Sequence, residues 1–216
     1  MRRARVILVD DHAVVRKGLR RILELDRDID VVGEAGDGRA ALELVERLRP
    51  DVVVMDLGLP ELNGIEATNQ IARRHPRTQV LVLTMHGDEM SLRRALKAGA
   101  RGYVLKDTDH LELAKAIKVV ATGGTWFSPT ISGQILDGFL QDGSRPEDND
   151  LLNRLTARER EVLQLIAEAR SSKEIANRLA VSISTVETHR KNIMEKLALR
   201  NTAEMVRFAV EKNVVR

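Results

Sequence analysis

The chain has 216 residues, 43% hydrophobic and 31% charged, enough for one large water-soluble domain or two ordinary ones. There is no cysteine, which excludes a disulfide framework and thiolate metal sites, and 2% aromatic content leaves the cores to Leu, Val, Ile and Ala. Net charge is +3 and uneven: residues 1–150 carry 22 Lys and Arg against 24 Asp and Glu, whereas residues 151–216 carry 13 against 8. The basic excess therefore lies in the C-terminal part, which points to an anionic partner such as nucleic acid. No stretch approaches the ~18 apolar residues of a membrane span. The opening MRRARVILVDD meets two aspartates too soon to be a signal peptide, so a cytoplasmic protein without a membrane partner is expected.

Strand and helix patterns alternate from residue 5 to about 122. Short apolar runs predict strands near 5–10, 29–35, 51–56, 79–84 and 102–105. Amphipathic stretches near 13–25, 38–48, 64–75, 89–98 and 110–122 predict the helices between them. Five βα units of this length imply a doubly wound α/β domain built on a five-stranded parallel sheet, with right-handed crossovers placing helices on both faces. Gly123-Gly124 ends the fifth helix. A linker over 123–150 follows, with a helix-compatible piece near 130–140 and the polar, turn-rich QDGSRPEDND over 141–150. From 151 the pattern is helical without strands. Thr156 with Glu159 has capping-box spacing. Ser171 or Ser172, then Ser182 or Ser184, then Asn201 or Thr202 suit the starts of three further helices.

The ends of the apolar runs carry the chemistry. Asp10 and Asp11 follow the first, Asp56 the third, Thr84 ends the fourth and Lys106 follows the fifth. In an open parallel sheet, ligands bind outside the carboxyl ends of the strands. Three carboxylates there supply hard oxygen ligands for Mg²⁺. Asp56 is then placed as a nucleophile toward phosphorus, giving an acyl phosphate. Lys106 suits one phosphoryl oxygen and Thr84 another. Singly, each residue reads as a cap, a turn residue or β-propensity; the set at four strand ends does not.

In residues 171–197, SSKEIANRLAVSISTVETHRKNIMEKL, Ile175, Ala176 and Leu179 mark one helix face, and Val186, Ile193, Met194 and Leu197 the buried side of the next. A short turn joins them, and the second helix carries His189, Arg190 and Lys191. This fits a helix-turn-helix, although a plain helical bundle shows the same periodicity.

Residues 1–122 resemble a two-component receiver domain. The residues that carry the resemblance are Asp10, Asp11, Asp56, Thr84 and Lys106, with Leu59-Pro60, Gly64 and Lys106-Asp107. Residues 151–216 resemble the LuxR-type DNA-binding domain of NarL/FixJ-class regulators, through Leu155-Thr156, Glu159 to Leu163, Lys173 to Ala176, Thr185-Val186, His189, Asn192-Ile193 and Lys196-Leu197. The resemblance implies a flavodoxin-like fold with strand order 2-1-3-4-5 and a small four-helix second domain. It implies Asp56 as phosphoacceptor, and Asp11, Asp56 and the Gly58 backbone carbonyl as metal ligands, with Asp10 acting through water or Lys106. Thr84 and Tyr103 become switch residues: Thr84 moves toward the phosphoryl group and Tyr103, on an edge strand, turns into the space. Gly58 and His86 occupy positions that tune phosphoryl lifetime. In the second domain, Glu187, Thr188 and Lys191 are implied as base-facing, and Lys173, Ser184, Thr185 and Arg190 as phosphate contacts, with Arg200 a weaker one. Ala169 and Ser172 depart from the common Gly and Asn, with little change in fold expected.

The expected function is a transcriptional response regulator switched by Mg²⁺-dependent phosphorylation of Asp56 by a sensor histidine kinase. Its partners would be double-stranded promoter DNA, a second copy when active (with helix 202–213 as a dimerisation element) and RNA polymerase. It would be no enzyme beyond self-phosphorylation from a donor and self-dephosphorylation. The alternative is a phosphorylation-independent DNA-binding regulator whose receiver-like domain dimerises or binds a ligand. A stand-alone enzyme is disfavoured: Gly33, Gly36 and Gly38 make no dinucleotide fingerprint, no phosphate-binding Walker loop is present, and Gly58 stands where an aspartyl phosphatase has a second acid. A helical domain that binds protein instead of DNA is the remaining option.

Overall fold

The computed structural model describes residues 2–85, 87–128, 131–133, 151–212 and 214–215. The chain divides into two compact units, Met1–Gly143 and Ser144–Arg216. Among the described residues, no helix is long and apolar enough to cross a membrane.

In the first unit, β-branched runs form strands and capped amphipathic runs form helices, in the order β1 (Ala4–Val9), α1 (Ala13–Leu23), β2 (Ile29–Ala35), α2 (Gly38–Leu48), β3 (Val52–Met55), α3 (Gly64–Arg74), β4 (Gln79–Thr84), α4 (Glu89–Lys97), β5 (Gly102–Leu105), α5 (His110–Ala121) and β6 (Trp126–Phe127). Asp37, Asn63, Asp88 and Asp109 cap α2 to α5, each side chain accepting from a backbone N–H of the first turn. Helix α1 has His12 at its N-cap position, and the His12 side chain makes no cap.

The sheet is parallel with order β2-β1-β3-β4-β5-β6. The order over the first five strands is the flavodoxin-like one, but the count is six. The sixth strand lies inside the expected linker: Trp126 and Phe127 pair with Gly102 and Tyr103. A two-residue strand carries no periodicity for a pattern to register. Gly123, at φ +85°, turns the chain after α5 so that it runs back beside β5. In consequence β5 is not an edge strand, contrary to expectation. The helix-compatible piece near 130–140 is helical at 131–133, and its remaining residues lie outside the described ones, as does 141–150.

Central strands are buried on both faces, hence their unbroken apolar sequence. Val6, Leu8, Val54, Leu81 and Val104 pack against α1 and α5. Ile7, Val9, Val53, Met55 and Val80 pack against α2 and α3. A third cluster under α4 gathers Leu57, Val82, Leu92, Ala95 and Tyr103.

The second unit opens with a 3-10 turn, Leu151–Arg154, followed by α6 (Ala157–Ala167), α7 (Ser172–Arg178), α8 (Ile183–Leu197) and α9 (Thr202–Glu211). Thr156 with Glu159 and Ser171 with Glu174 form reciprocal capping boxes; Ser182 and Asn201 cap α8 and α9. One core, including Val162, Leu163, Ile175, Val186, Ile193 and Phe208, joins all four helices.

Candidate functional sites: an acidic pocket and a helix-turn-helix

Strand register builds the pocket. Val9 pairs with Met55, and Met55 with Val82, while Thr84 pairs with Leu105. Asp10, Asp56, Thr84 and Lys106 therefore reach one sheet edge together. Asp10, Asp56 and Thr84 are buried, and Asp11 is exposed at the rim. Lys106 Nζ donates to Asp56 Oδ2 at 2.8 Å and lies 2.5 Å from Asp10 Oδ2. The contact with Asp10 is an ion pair without the angle of a directed hydrogen bond. Asp56 Oδ1 accepts from the Leu57 N–H at 2.8 Å, and Asp10 Oδ1 from the His12 N–H at 2.8 Å. Arg16 donates to the Asp10 carbonyl oxygen. Burial disfavours the Lys106 ammonium, but its close contacts with the Asp10 and Asp56 carboxylates outweigh it and hold its pKa above the ordinary lysine value.

Ligand atoms of Asp10, Asp11, His12 and Asp56 lie within 4.8 Å of one another. The donor set fits a hard divalent cation: three carboxylates in one place, with one ammonium to offset them. His12 was not anticipated. Its Nδ1 is 2.7 Å from Asp11 Oδ1, and its place directly after the acid pair was the available signal. Gly58, half-buried, sits two residues beyond Asp56 in the β3–α3 turn. That turn is tight: a Cβ on Gly64 would lie 2.0 Å from the Asp56 carbonyl oxygen. Tyr103 is fully buried, and burial, with the charges of Asp88 and Asp56 adding, pushes its hydroxyl above the ordinary tyrosine value. His86 lies outside the described residues.

In the second unit, α7 ends at Arg178 with Leu179 as its C-cap, Ala180 takes a left-handed φ of +51°, and Ser182 caps α8. Ser184, Glu187, Thr188 and Lys191 are exposed on α8, and Lys173 on α7; Thr185 and Arg190 are half-buried. Ser182 Oγ lies 2.7 Å from Ser184 Oγ and 2.8 Å from Thr185 Oγ1. Thr188 Oγ1 donates to the Ser184 carbonyl at 2.9 Å, which leaves its methyl for a partner. Arg200 donates its backbone N–H to Glu204. A half-buried pair not anticipated from sequence joins α8 to α6: Lys196 donates to both oxygens of Glu159, at 2.8 and 2.6 Å.

A parallel sheet with an acid–hydroxyl–lysine pocket, joined to a helix-turn-helix, defines a class of regulator, and sequence comparison gives the same class. Residues 6–118 match the response regulator receiver domain, and residues 153–209 match the bacterial regulatory proteins of the luxR family. The chain belongs to the two-component response regulators with a LuxR-type DNA-binding domain, the NarL/FixJ class. It is 38% identical to the transcriptional regulatory protein MctR of Rhizobium johnstonii, covering 98% of this chain and 95% of that protein. It resembles the RcsB response regulator of Salmonella typhimurium, with 30% identity and a TM-score of 0.59 over 97% of this chain and 99% of that one. A structure of an RcsB–DNA complex matches at 29% identity and TM-score 0.58, over 96% of this chain and 98% of that one. The protein is a transcriptional response regulator.

Proposed function

We propose that the receiver domain, residues 1–122 with β6 added to its sheet, accepts a phosphoryl group on Asp56 from a sensor histidine kinase, and that residues 151–216 read double-stranded promoter DNA, the two joined by the linker that follows. The observation that carries this reading is the Lys106 ammonium bridging Asp56 and Asp10 on the floor of a three-carboxylate cluster.

Asp10, Asp11 and Asp56, with the Gly58 carbonyl, are the residues that would hold Mg²⁺. When bound, the cation offsets the charge of the carboxylates and of the incoming phosphoryl oxygens. An Asp56 oxygen attacks phosphorus as the bond to the donor breaks, and the donor leaves with that electron pair. Lys106 donates to Asp56 Oδ2, and in this scheme the ammonium passes from the carboxylate to a phosphoryl oxygen. Its raised pKa keeps it charged for that role. Thr84 donates to a second phosphoryl oxygen, and Tyr103 packs behind it as the coupled switch residue. The only catalysis in this scheme is the protein's own phosphorylation from a donor and its own dephosphorylation.

On the DNA side, Lys191 suits a guanine O6/N7 edge and the Thr188 methyl a thymine methyl. Lys173, Ser184 and Thr185 suit phosphates. The likeness to RcsB, whose structure with DNA is known, supports DNA binding by this class of domain. A pair of copies on two half-sites, in contact with RNA polymerase in the cytoplasm, completes the proposal.

Incubation with Mg²⁺ and acetyl phosphate, read by intact mass, tests the acceptor. One added phosphoryl group is expected in the parent and none in Asp56→Asn. No adduct on the folded parent from several donors would favour a regulator that works without phosphorylation.

A further inference from the structure

A helix reads a groove only when its roll and tilt are fixed. Val186, Ile193 and Leu197 bury one side of α8, but apolar contacts are non-directional. Directional constraint comes from Arg190. Its Nη2 donates to Thr202 Oγ1, on the first residue of α9, at 2.7 Å. Its Nη1 reaches Ser172 Oγ, on the first residue of α7, at 3.5 Å. That hydroxyl in turn donates to Glu187 Oε1, and Glu187 Oε2 lies 3.8 Å from Arg190 Nε. The guanidinium fork holds its donors at fixed angles, so these bonds tie α8 to two other helices at once.

Exposure separates this arginine from its neighbour. The Arg190 side chain is 19% exposed, against 74% for Lys191. A side chain that holds a phosphate presents its cationic head to solvent before binding; the head of Arg190 is engaged within the domain. Glu187 accepts from Ser172 through one oxygen and faces the guanidinium at ion-pair distance with the other, although its side chain is 57% exposed.

We propose that Arg190 is a positioning residue: with Thr202, Ser172 and Glu187 it sets the angle at which α8 meets a DNA duplex, leaving direct base readout to Thr188 and Lys191. The proposal rests on the DNA-reading assignment above. It moves Arg190 out of the phosphate contacts and Glu187 out of the base readers expected from sequence. It also makes base preference depend on Thr202, an uncharged residue of a different helix.

The test uses the full chain. A randomised duplex pool selects the preferred site for the parent. Affinities for that site and for a mixed-sequence duplex are then measured across a salt series for the parent, Thr202→Val, Arg190→Gln and Arg190→Lys. Circular dichroism melting reports whether each variant is folded. Thr202→Val is expected to lower the ratio of the two affinities about tenfold, the scale of one hydrogen bond to a charged group, without changing the salt slope. Arg190→Gln is expected to do the same, and Arg190→Lys not to rescue the ratio, because an ammonium lacks the fork. The proposal is overturned if Arg190→Gln lowers the slope by about 0.9, the value of one phosphate contact, while Thr202→Val keeps the parent's ratio. If Arg190→Gln unfolds, Thr202→Val decides alone. A folded parent that binds no duplex overturns the DNA-reading assignment and this proposal with it. A parent that reads DNA while every folded variant keeps its ratio overturns this proposal only.

Discussion

Glu159 shows what one side chain does in this protein. It caps α6, accepting from the Thr156 N–H at 2.7 Å and the Thr156 hydroxyl at 3.0 Å, and it pairs with Lys196 from α8. Only 3% of the residue is exposed. Burial alone raises its pKa, but the hydrogen bonds from Lys196 and Thr156 outweigh burial and hold the pKa below the ordinary 4.5. A carboxyl whose folded pKa is depressed contributes stability that is fully present above its unfolded pKa. That contribution is lost as pH falls through the lowered folded value. The second unit is therefore expected to lose stability below about pH 4.5, and Glu159→Gln to flatten that dependence. Hydrogen exchange of the α6 and α8 amides across the acid range measures it. Trp126, the chain's single tryptophan, belongs to the first unit, so its fluorescence does not follow this transition.

At the scale of elements, two backbone positions set the turns around the sites. Gly64 opens α3 against the Asp56 carbonyl, and the atoms that a Cβ would strike are backbone, which cannot rotate away. Gly64→Ala is expected to cost about 1 to 3 kcal/mol of receiver stability and to slow labelling of Asp56. Urea unfolding followed at Trp126 and a mass time course with acetyl phosphate read the two effects separately. Ala169, after α6, holds φ at +61°, where a Cβ is crowded. The turn closes with alanine in place, the Arg170 N–H donating to the Leu165 carbonyl. Ala169→Gly relieves the crowding, gives part back as unfolded-chain entropy, and is expected to raise the stability of the second unit by about 0.5 to 1 kcal/mol in a urea titration followed by circular dichroism. The elements that sequence made legible are those with long periodic signals. Apolar runs such as VVVM at Val52–Met55 and cap residues such as Asp37 or Ser182 are local causes of local structure. β6 was missed because its cause is non-local: two aromatic residues find an open strand edge at Gly102 and Tyr103. The pocket acids were legible because each stands at a strand end. The Arg190–Thr202 bond was not, since nothing in a chain marks which hydroxyl 12 residues away a guanidinium will meet.

At the scale of the whole chain, two units carry two charge balances. The receiver's buried clusters lie on the two faces of the sheet and under α4, and one core joins α6 to α9 in the second unit. The acidic pocket belongs to the first, and the basic excess of residues 151–216 to the second. The second unit has one contiguous core of its own, which is the physical condition for folding alone. A chain of residues 144–216 is expected to keep its helical circular dichroism and a cooperative melt. Counterion release depends on which cations meet phosphates, and in the proposed assignment the phosphate contacts, Lys173 on α7 with Ser184 and Thr185 on α8, all lie in the fragment, so the fragment's salt slope on duplex DNA should equal that of the full chain. Mg²⁺ with acetyl phosphate should change the affinity of the full chain and leave the fragment's unchanged, because Asp56 is absent from the fragment. A fragment whose affinity still responded to the phosphodonor would place the acceptor outside the receiver, and a fragment with a smaller salt slope would place part of the DNA contact in residues 1–143. Measuring both forms against the same duplex, with and without the donor, therefore separates where the signal enters from where the DNA is held.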